Sequence, residues 1–148
     1  MASHKRLKVM TVVGTRPEII RLSSVMKKLD ASEAIEQVIV HTGQNYDYEL
    51  NEVFFKDFGL RKPDYFLNAA LGSAAETIGN ILIKVDPLLA EVQPDAFLVL
   101  GDTNSCLCAI PAKKQPTPKF RILNHSTLIP TEPASLSVSR IARQIAPS

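Results

Sequence analysis

Leu7 to Val13, LKVMTVV, runs directly into Gly14-Thr15-Arg16-Pro17-Glu18. The apolar stretch is short, rich in β-branched side chains and almost unbroken, as expected for a strand buried on both faces of a parallel sheet. Beyond it, Ile19, Leu22, Met26 and Leu29 recur at spacings of three and four, the stripe of an amphipathic helix. Thr15 and Glu18 form a T-x-x-E capping pair at its start, and Pro17 falls in the first turn, where a missing N–H costs little. Strand, glycine turn and helix in direct succession point to a βαβ unit.

The same pattern continues outward. Gln37 to His41 (QVIVH) reads as a second buried strand, followed by the loop Thr42-Gly43-Gln44-Asn45. Leu50, Val53, Phe54 and Phe58 mark the inner face of a further helix, and Gly59 sits where a left-handed C-terminal cap is wanted. Tyr65 to Leu67 is a brief candidate strand. Ile78, Ile81, Leu82, Val85, Leu88, Leu89 and Val92 give another helical stripe, in which Pro87 should kink or split the helix. Ala96 to Leu100 (AFLVL) is the next strong strand, ending in Gly101-Asp102-Thr103-Asn104-Ser105 before a last helix. Alternating strands and helices predict an α/β fold: an open, Rossmann-like parallel sheet with helices on both faces. No internal repeat is visible.

Composition narrows the class. A chain of 148 residues, 45% hydrophobic and 22% charged, fits one ordinary soluble domain, and a net charge of +2 calls for neither nucleic acid nor an anionic membrane. The apolar run at the start is too short for a signal peptide core, and none approaches the ~18 residues of a membrane span. Cys106 and Cys108 are too close to staple the fold and lack the second half of a zinc pattern; they suit a reducing compartment, hence the cytoplasm, and read as packing residues on different faces of a helix. The charge is unevenly spread: residues 1–110 carry 11 Lys/Arg against 14 Asp/Glu, whereas residues 111–148 carry 6 against 1, with six of the ten prolines. That shift divides the chain into a domain over 1–112 and an irregular, Pro/Ser-rich basic tail over 113–148.

Ligands of such sheets gather at the carboxyl ends of the strands, so the loops 14–18, 41–45 and 101–105 are where chemistry should lie. In the first, Gly14 permits close backbone approach, the helix start offers unpaired N–H groups, and Arg16 adds a guanidinium fork suited to phosphate. Equally, Thr15 and Glu18 could merely cap a helix beneath a solvated Arg16. Asp102 could act as a base or accept from a sugar hydroxyl, or could cap the next helix, as could its Thr, Asn and Ser neighbours. His41 is a possible ligand contact, though a single histidine without a partner is more often structural. The dinucleotide fingerprint G-x-G-x-x-G is absent, which argues against a nicotinamide or flavin cofactor.

VVGTRPEII at 12–20, HTGQNYD at 41–47 and PDAFLVLGDTNSCL at 94–107 together resemble the non-hydrolysing UDP-N-acetylglucosamine 2-epimerases, and the resemblance runs from about Lys8 to Lys114. It implies the N-terminal half of a two-domain fold of the GT-B type, with a UDP-sugar held between two Rossmann-like halves and no cofactor or metal. It implies elimination of UDP from UDP-GlcNAc to an enzyme-bound 2-acetamidoglucal, then re-addition to give UDP-ManNAc for surface polysaccharide. By motif position Asp102 would be a catalytic carboxylate near C2, and Arg16 would contact the nucleotide or its phosphates. Gly14, Thr15, Pro17, Arg21, His41, Gln44 and Thr103 would complete the substrate-binding set. The family commonly has lysine where Arg21 stands; the charge is kept and the fork geometry changed. Members are usually homodimers. After Lys114 the pattern departs: neither the His-x-Glu-Ala-Gly loop nor the acidic Pro-Glu-Glu segment, both bearers of further carboxylates, is present. Arg121 to Ala134 (RILNHSTLIPTEPA) weakly resembles a later family stretch, in which His125 would inherit a position without a catalytic role. We therefore expect a fragment, inactive alone, that exposes an unpaired sheet edge and aggregates. A non-catalytic nucleotide-sugar binder and half of a glycosyltransferase are the alternatives.

Overall fold

A computed structural model describes residues 5–44, 48–101, 103–114 and 121–124. Asp102, His125 and most of the tail lie outside the described residues, as does the side chain of Leu50. The chain runs β1 (Leu7–Val13), α1 (Arg16–Asp30), β2 (Ile35–His41), α2 (Tyr48–Asp57), β3 (Tyr65–Phe66), α3 (Ala74–Val92) and β4 (Ala96–Val99). A 3-10 turn over Asn104–Cys108, α4 (Ala109–Ala112) and β5 (Arg121–Asn124) follow.

The strands form one sheet in the order β3-β2-β1-β4-β5, and every pairing is parallel. β1 is central, and its run from Val9 to Val13 is fully buried. Alternation along it sorts the core. Met10 and Val12 pack with Val38, Val40, Phe97 and Val99 beneath Ile81, Val85, Leu88, Leu89 and Val92 of α3. Val9 faces the other way, toward Val25 and Leu29 of α1. Val13 and Ile39 lie on that same side with Ile19, Leu22, Met26 and Phe55. Helices thus cover both faces, which is why β1 needs no polar side chain at either surface. Within the buried run Val9–Val13 the exception is Thr11, which donates to Gln37 at 2.9 Å, and the Gln37 amide in turn donates to Asp30 and to the Met26 carbonyl.

Three expectations need correction. The inner face of α2 is set by Phe55, 3% exposed, while Val53 is 51% exposed; two residues apart on a helix, they face nearly opposite ways, and the larger ring takes the core side. α3 is one helix through Pro87, so of the two outcomes expected there the split does not occur. The proline lies on the exposed side, and the intrahelical bond it cannot make is to the carbonyl of Ile83, a residue 73% exposed. Finally, four residues of the segment read as irregular form β5, paired with β4 from Ala96↔Arg121 to Val99↔Asn124. Gly59 behaves as expected: at φ 61° it closes α2 with Leu60 N–H donating to the Phe55 carbonyl and Gly59 N–H to that of Lys56.

Candidate functional site

The order β3-β2-β1-β4-β5 places a topological switch between β1 and β4: from β1 the chain first builds outward through β2 and β3, then crosses under α3 to the other side. The loops leaving these two strands therefore diverge and leave a crevice above the sheet. A cleft of about 360 Å³ lies there, lined by Thr15, Gln44, Ala74, Thr77, Thr103 and Asn104. Thr15 comes from the loop after β1, Gln44 from that after β2, and Thr103 and Asn104 from that after β4. Ala74 and Thr77 belong to the first turn of α3, a wall no sequence signal had marked. Among the described residues the lining offers hydroxyls and amides that can donate and accept hydrogen bonds, beside the apolar Ala74.

Gly14 is the point where the loops converge. A Cβ on it would sit 2.1 Å from Thr42 Oγ1, 2.8 Å from Gln44 Nε2 and 2.9 Å from Ser105 Oγ. Next to it, Thr15 caps α1. The carboxylate of Glu18 turns back and accepts the Gly14 and Thr15 N–H groups, each at 2.7 Å. It also accepts the hydroxyls of Thr15 at 3.0 Å, Ser105 at 3.3 Å and Thr103. Glu18 is fully buried. Sequence reading saw in it only a helix cap.

Arg16 and Pro17 are exposed at the start of α1. The Arg16 guanidinium lies 4.6 Å from the centre of the Phe54 ring on α2. The cation therefore sits over the ring, a cation–π contact that holds the side chain near the start of α1. Arg21 is exposed further along α1 and does not line the cleft. His41 is not at the cleft surface either. It is buried at the end of β2, stacked on Phe66 with ring centres 4.8 Å apart and edge-on to Phe55. Its Nδ1 accepts the Gly43 N–H at 3.0 Å, so the neutral ring carries its proton on Nε2. Burial lowers its pKa from 6.5 to about 4. His41 Nε2, Thr42 Oγ1 and Gln44 Oε1 are buried without hydrogen-bond partners. Cys106 and Cys108 pack against one and the same core cluster; Cys106 Sγ donates to the Leu100 carbonyl, and burial pushes the Cys108 thiol up to about 12. Cys108 stays inert as a nucleophile in this state.

A parallel sheet wound on both faces, with a polar cleft at its switch point, defines a Rossmann-like α/β protein. Comparison with known proteins narrows the class. A family model described as UDP-N-acetylglucosamine 2-epimerase matches residues 27–119. The UDP-2,3-diacetamido-2,3-dideoxy-D-glucuronate 2-epimerase of Pseudomonas aeruginosa is 36% identical over 113 residues, 76% of this chain and 32% of its own. The solved UDP-N-acetylglucosamine 2-epimerase of Rickettsia bellii is 53% identical with a TM-score of 0.68, over 80% of this chain and 30% of its own. That of Methanocaldococcus jannaschii, solved in complex with UDP-GlcNAc and UDP, is 35% identical with a TM-score of 0.71, over 80% and 32%. The chain belongs to the UDP-N-acetylglucosamine 2-epimerase family, and its fold is the Rossmann-like α/β arrangement of that GT-B-type group. It spans about a third of the length of these relatives.

Proposed function

We propose that this chain supplies the N-terminal wall of a UDP-sugar site belonging to a 2-epimerase that interconverts UDP-GlcNAc and UDP-ManNAc by elimination and re-addition of UDP. The observation that carries this reading is the cleft at the β1/β4 switch, lined by Thr15, Gln44, Thr103 and Asn104, in a chain of that family. Hydroxyl and amide groups suit the hydroxyls and acetamide of a sugar. Arg16, over the Phe54 ring, is positioned by its neighbour to offer N–H donors to a diphosphate. Asp102, between the buried end of β4 and cleft-lining Thr103, is our candidate for the carboxylate that works at C2. Gly14 brings the loops together, Pro17 starts α1, and Arg21 adds positive charge along it. His41 acts indirectly, by holding the turn that carries Gln44. The reading places the reaction in the cytoplasm, supplying N-acetylmannosamine units to surface polysaccharide, with the family's homodimer as its assembly.

The sequence lacks the family motifs that carry the further catalytic carboxylates, which favours binding without turnover by this chain alone. The test is to titrate the purified chain with UDP and UDP-GlcNAc by ligand-observed NMR and to follow UDP-ManNAc over time. Binding without UDP-ManNAc is the expected result. Turnover would overturn the claim of inactivity, and absence of binding by either ligand would overturn the UDP-sugar reading.

A further inference from the structure

The chain contains the same capping sequence twice, which supplies an internal control. At α3, Ser73 and Glu76 form a capping box in which the exposed Glu76 accepts the Ser73 N–H at 2.8 Å. That is all a cap requires. At α1, Thr15 and Glu18 stand in the same relation, yet Glu18 is 0% exposed and gathers five donors from two loops. Four of those donors, Gly14 N–H, Thr15 Oγ1, Thr103 Oγ1 and Ser105 Oγ, lie outside any capping requirement. Thr103 and Ser105 are 85 and 87 residues distant in sequence. Among the described residues no cation forms an ion pair with Glu18. Its charge is balanced by hydrogen bonds and by the N-terminal end of α1. A buried carboxylate without these donors would be strongly unfavourable, so the two loops are held wherever the carboxylate is held.

We infer that Glu18 is a positioning residue that locks the loop after β1 to the loop after β4 and so fixes the spacing between the Thr15 and Thr103 walls of the cleft. The coupling stands on the geometry alone; that it serves a UDP-sugar rests on the function proposed above. Glu18 touches no ligand in this scheme. It sets where Thr15 and Arg16 stand relative to Thr103 and Asn104, which follow the candidate carboxylate in sequence. A single rigid link at the switch point would keep the diphosphate contact and the sugar contact in register.

Backbone amide exchange on the full chain tests the link without any ligand. Glu18→Gln preserves size but replaces one acceptor oxygen with an NH₂ group that confronts donors. It should speed exchange at residues 103–106 about tenfold relative to wild type, with the amides of Met10 and Leu98 unchanged. Glu76→Gln, a change in a simple cap, should leave residues 103–106 as they were. Should Glu18→Gln fail to fold, Thr103→Val provides the second arm. It leaves α1 intact and should speed exchange at Gly14 and Thr15, whose N–H groups bond the other oxygen of the Glu18 carboxylate, whereas Thr103→Ser keeps the hydroxyl and should restore wild-type rates. Unchanged exchange at the opposite loop, in either arm, overturns the link. UDP-GlcNAc titration then addresses its purpose: affinity about tenfold weaker in Glu18→Gln at equal folded fraction supports positioning, and equal affinity overturns it. If the wild-type chain binds no UDP-GlcNAc, the proposed function fails while the exchange data still decide the coupling.

Discussion

At Gly14 three loops come within the space of one methyl group. Of the three nearest atoms a Cβ would meet, Thr42 Oγ1 at 2.1 Å and Ser105 Oγ at 2.9 Å belong to fully buried residues that cannot swing into solvent, whereas Gln44 Nε2 at 2.8 Å belongs to a half-buried one. Gly14→Ala should therefore cost about 1–3 kcal/mol through overpacking, measured by urea denaturation, and should weaken UDP binding by spreading the loops. His41 makes a second prediction at this scale. Its pKa is depressed from 6.5 to about 4 in the fold, so the folded state favours the neutral ring. The unfolded chain binds the extra proton between these values. Stability from this group is complete above about pH 6.5, falls as the pH drops toward 4, and loses no more below that. The difference corresponds to about 3 kcal/mol. Denaturation midpoints collected across pH 4–7 should show this loss in the wild type and a flatter profile in His41→Phe, which keeps the ring contacts with Phe55 and Phe66.

Among the elements, α3 shows how context overrides propensity. Its stripe of Ile81, Val85, Leu88, Leu89 and Val92 buries one side completely, and that packing holds the helix together across Pro87. Because the proline sits on the exposed side, Pro87→Ala restores a backbone bond to Ile83 without disturbing the core. It should raise stability by about 1 kcal/mol, the helix gain being partly offset by the freer unfolded chain; a higher thermal midpoint is the check, and a lower one would mean the proline shapes the helix to fit the sheet. In α2 the aromatic pair divides its duties. Phe55 enters the core, and Phe54, half-buried beside it, carries the Arg16 guanidinium, so adjacent residues serve packing and site.

For the molecule as a whole, β5 decides how the sheet ends. It covers the edge of β4 along Ala96–Val99 and is itself the last strand of the sheet. A chain ending at Lys114 would expose those backbone groups next to the buried apolar residues of β4. We expect it to aggregate where the full chain does not, as read by size-exclusion chromatography with light scattering; a dispersed truncated chain would show that β5 is dispensable. Among the described residues no helix is long and apolar enough to cross a membrane.

What the sequence by itself determined was everything carried by local period and local chemistry. The nearly continuous apolar runs at Leu7–Val13 and Ala96–Val99, the stripes of α1 and α3 and the glycine cap at Gly59 were all legible, because burial on both sheet faces and helix amphipathicity each leave a short-range pattern. Tertiary structure decided what depends on residues far apart. It chose Phe55 over Val53 for the core, carried α3 through Pro87, recruited 121–124 as a strand despite their proline-rich surroundings, and brought the first turn of α3 into the cleft. Glu18 shows the division most clearly: T-x-x-E signalled a helix cap, but only the folding of β4 beside β1 could deliver Thr103 and Ser105 to that carboxylate and turn a cap into the junction of two loops.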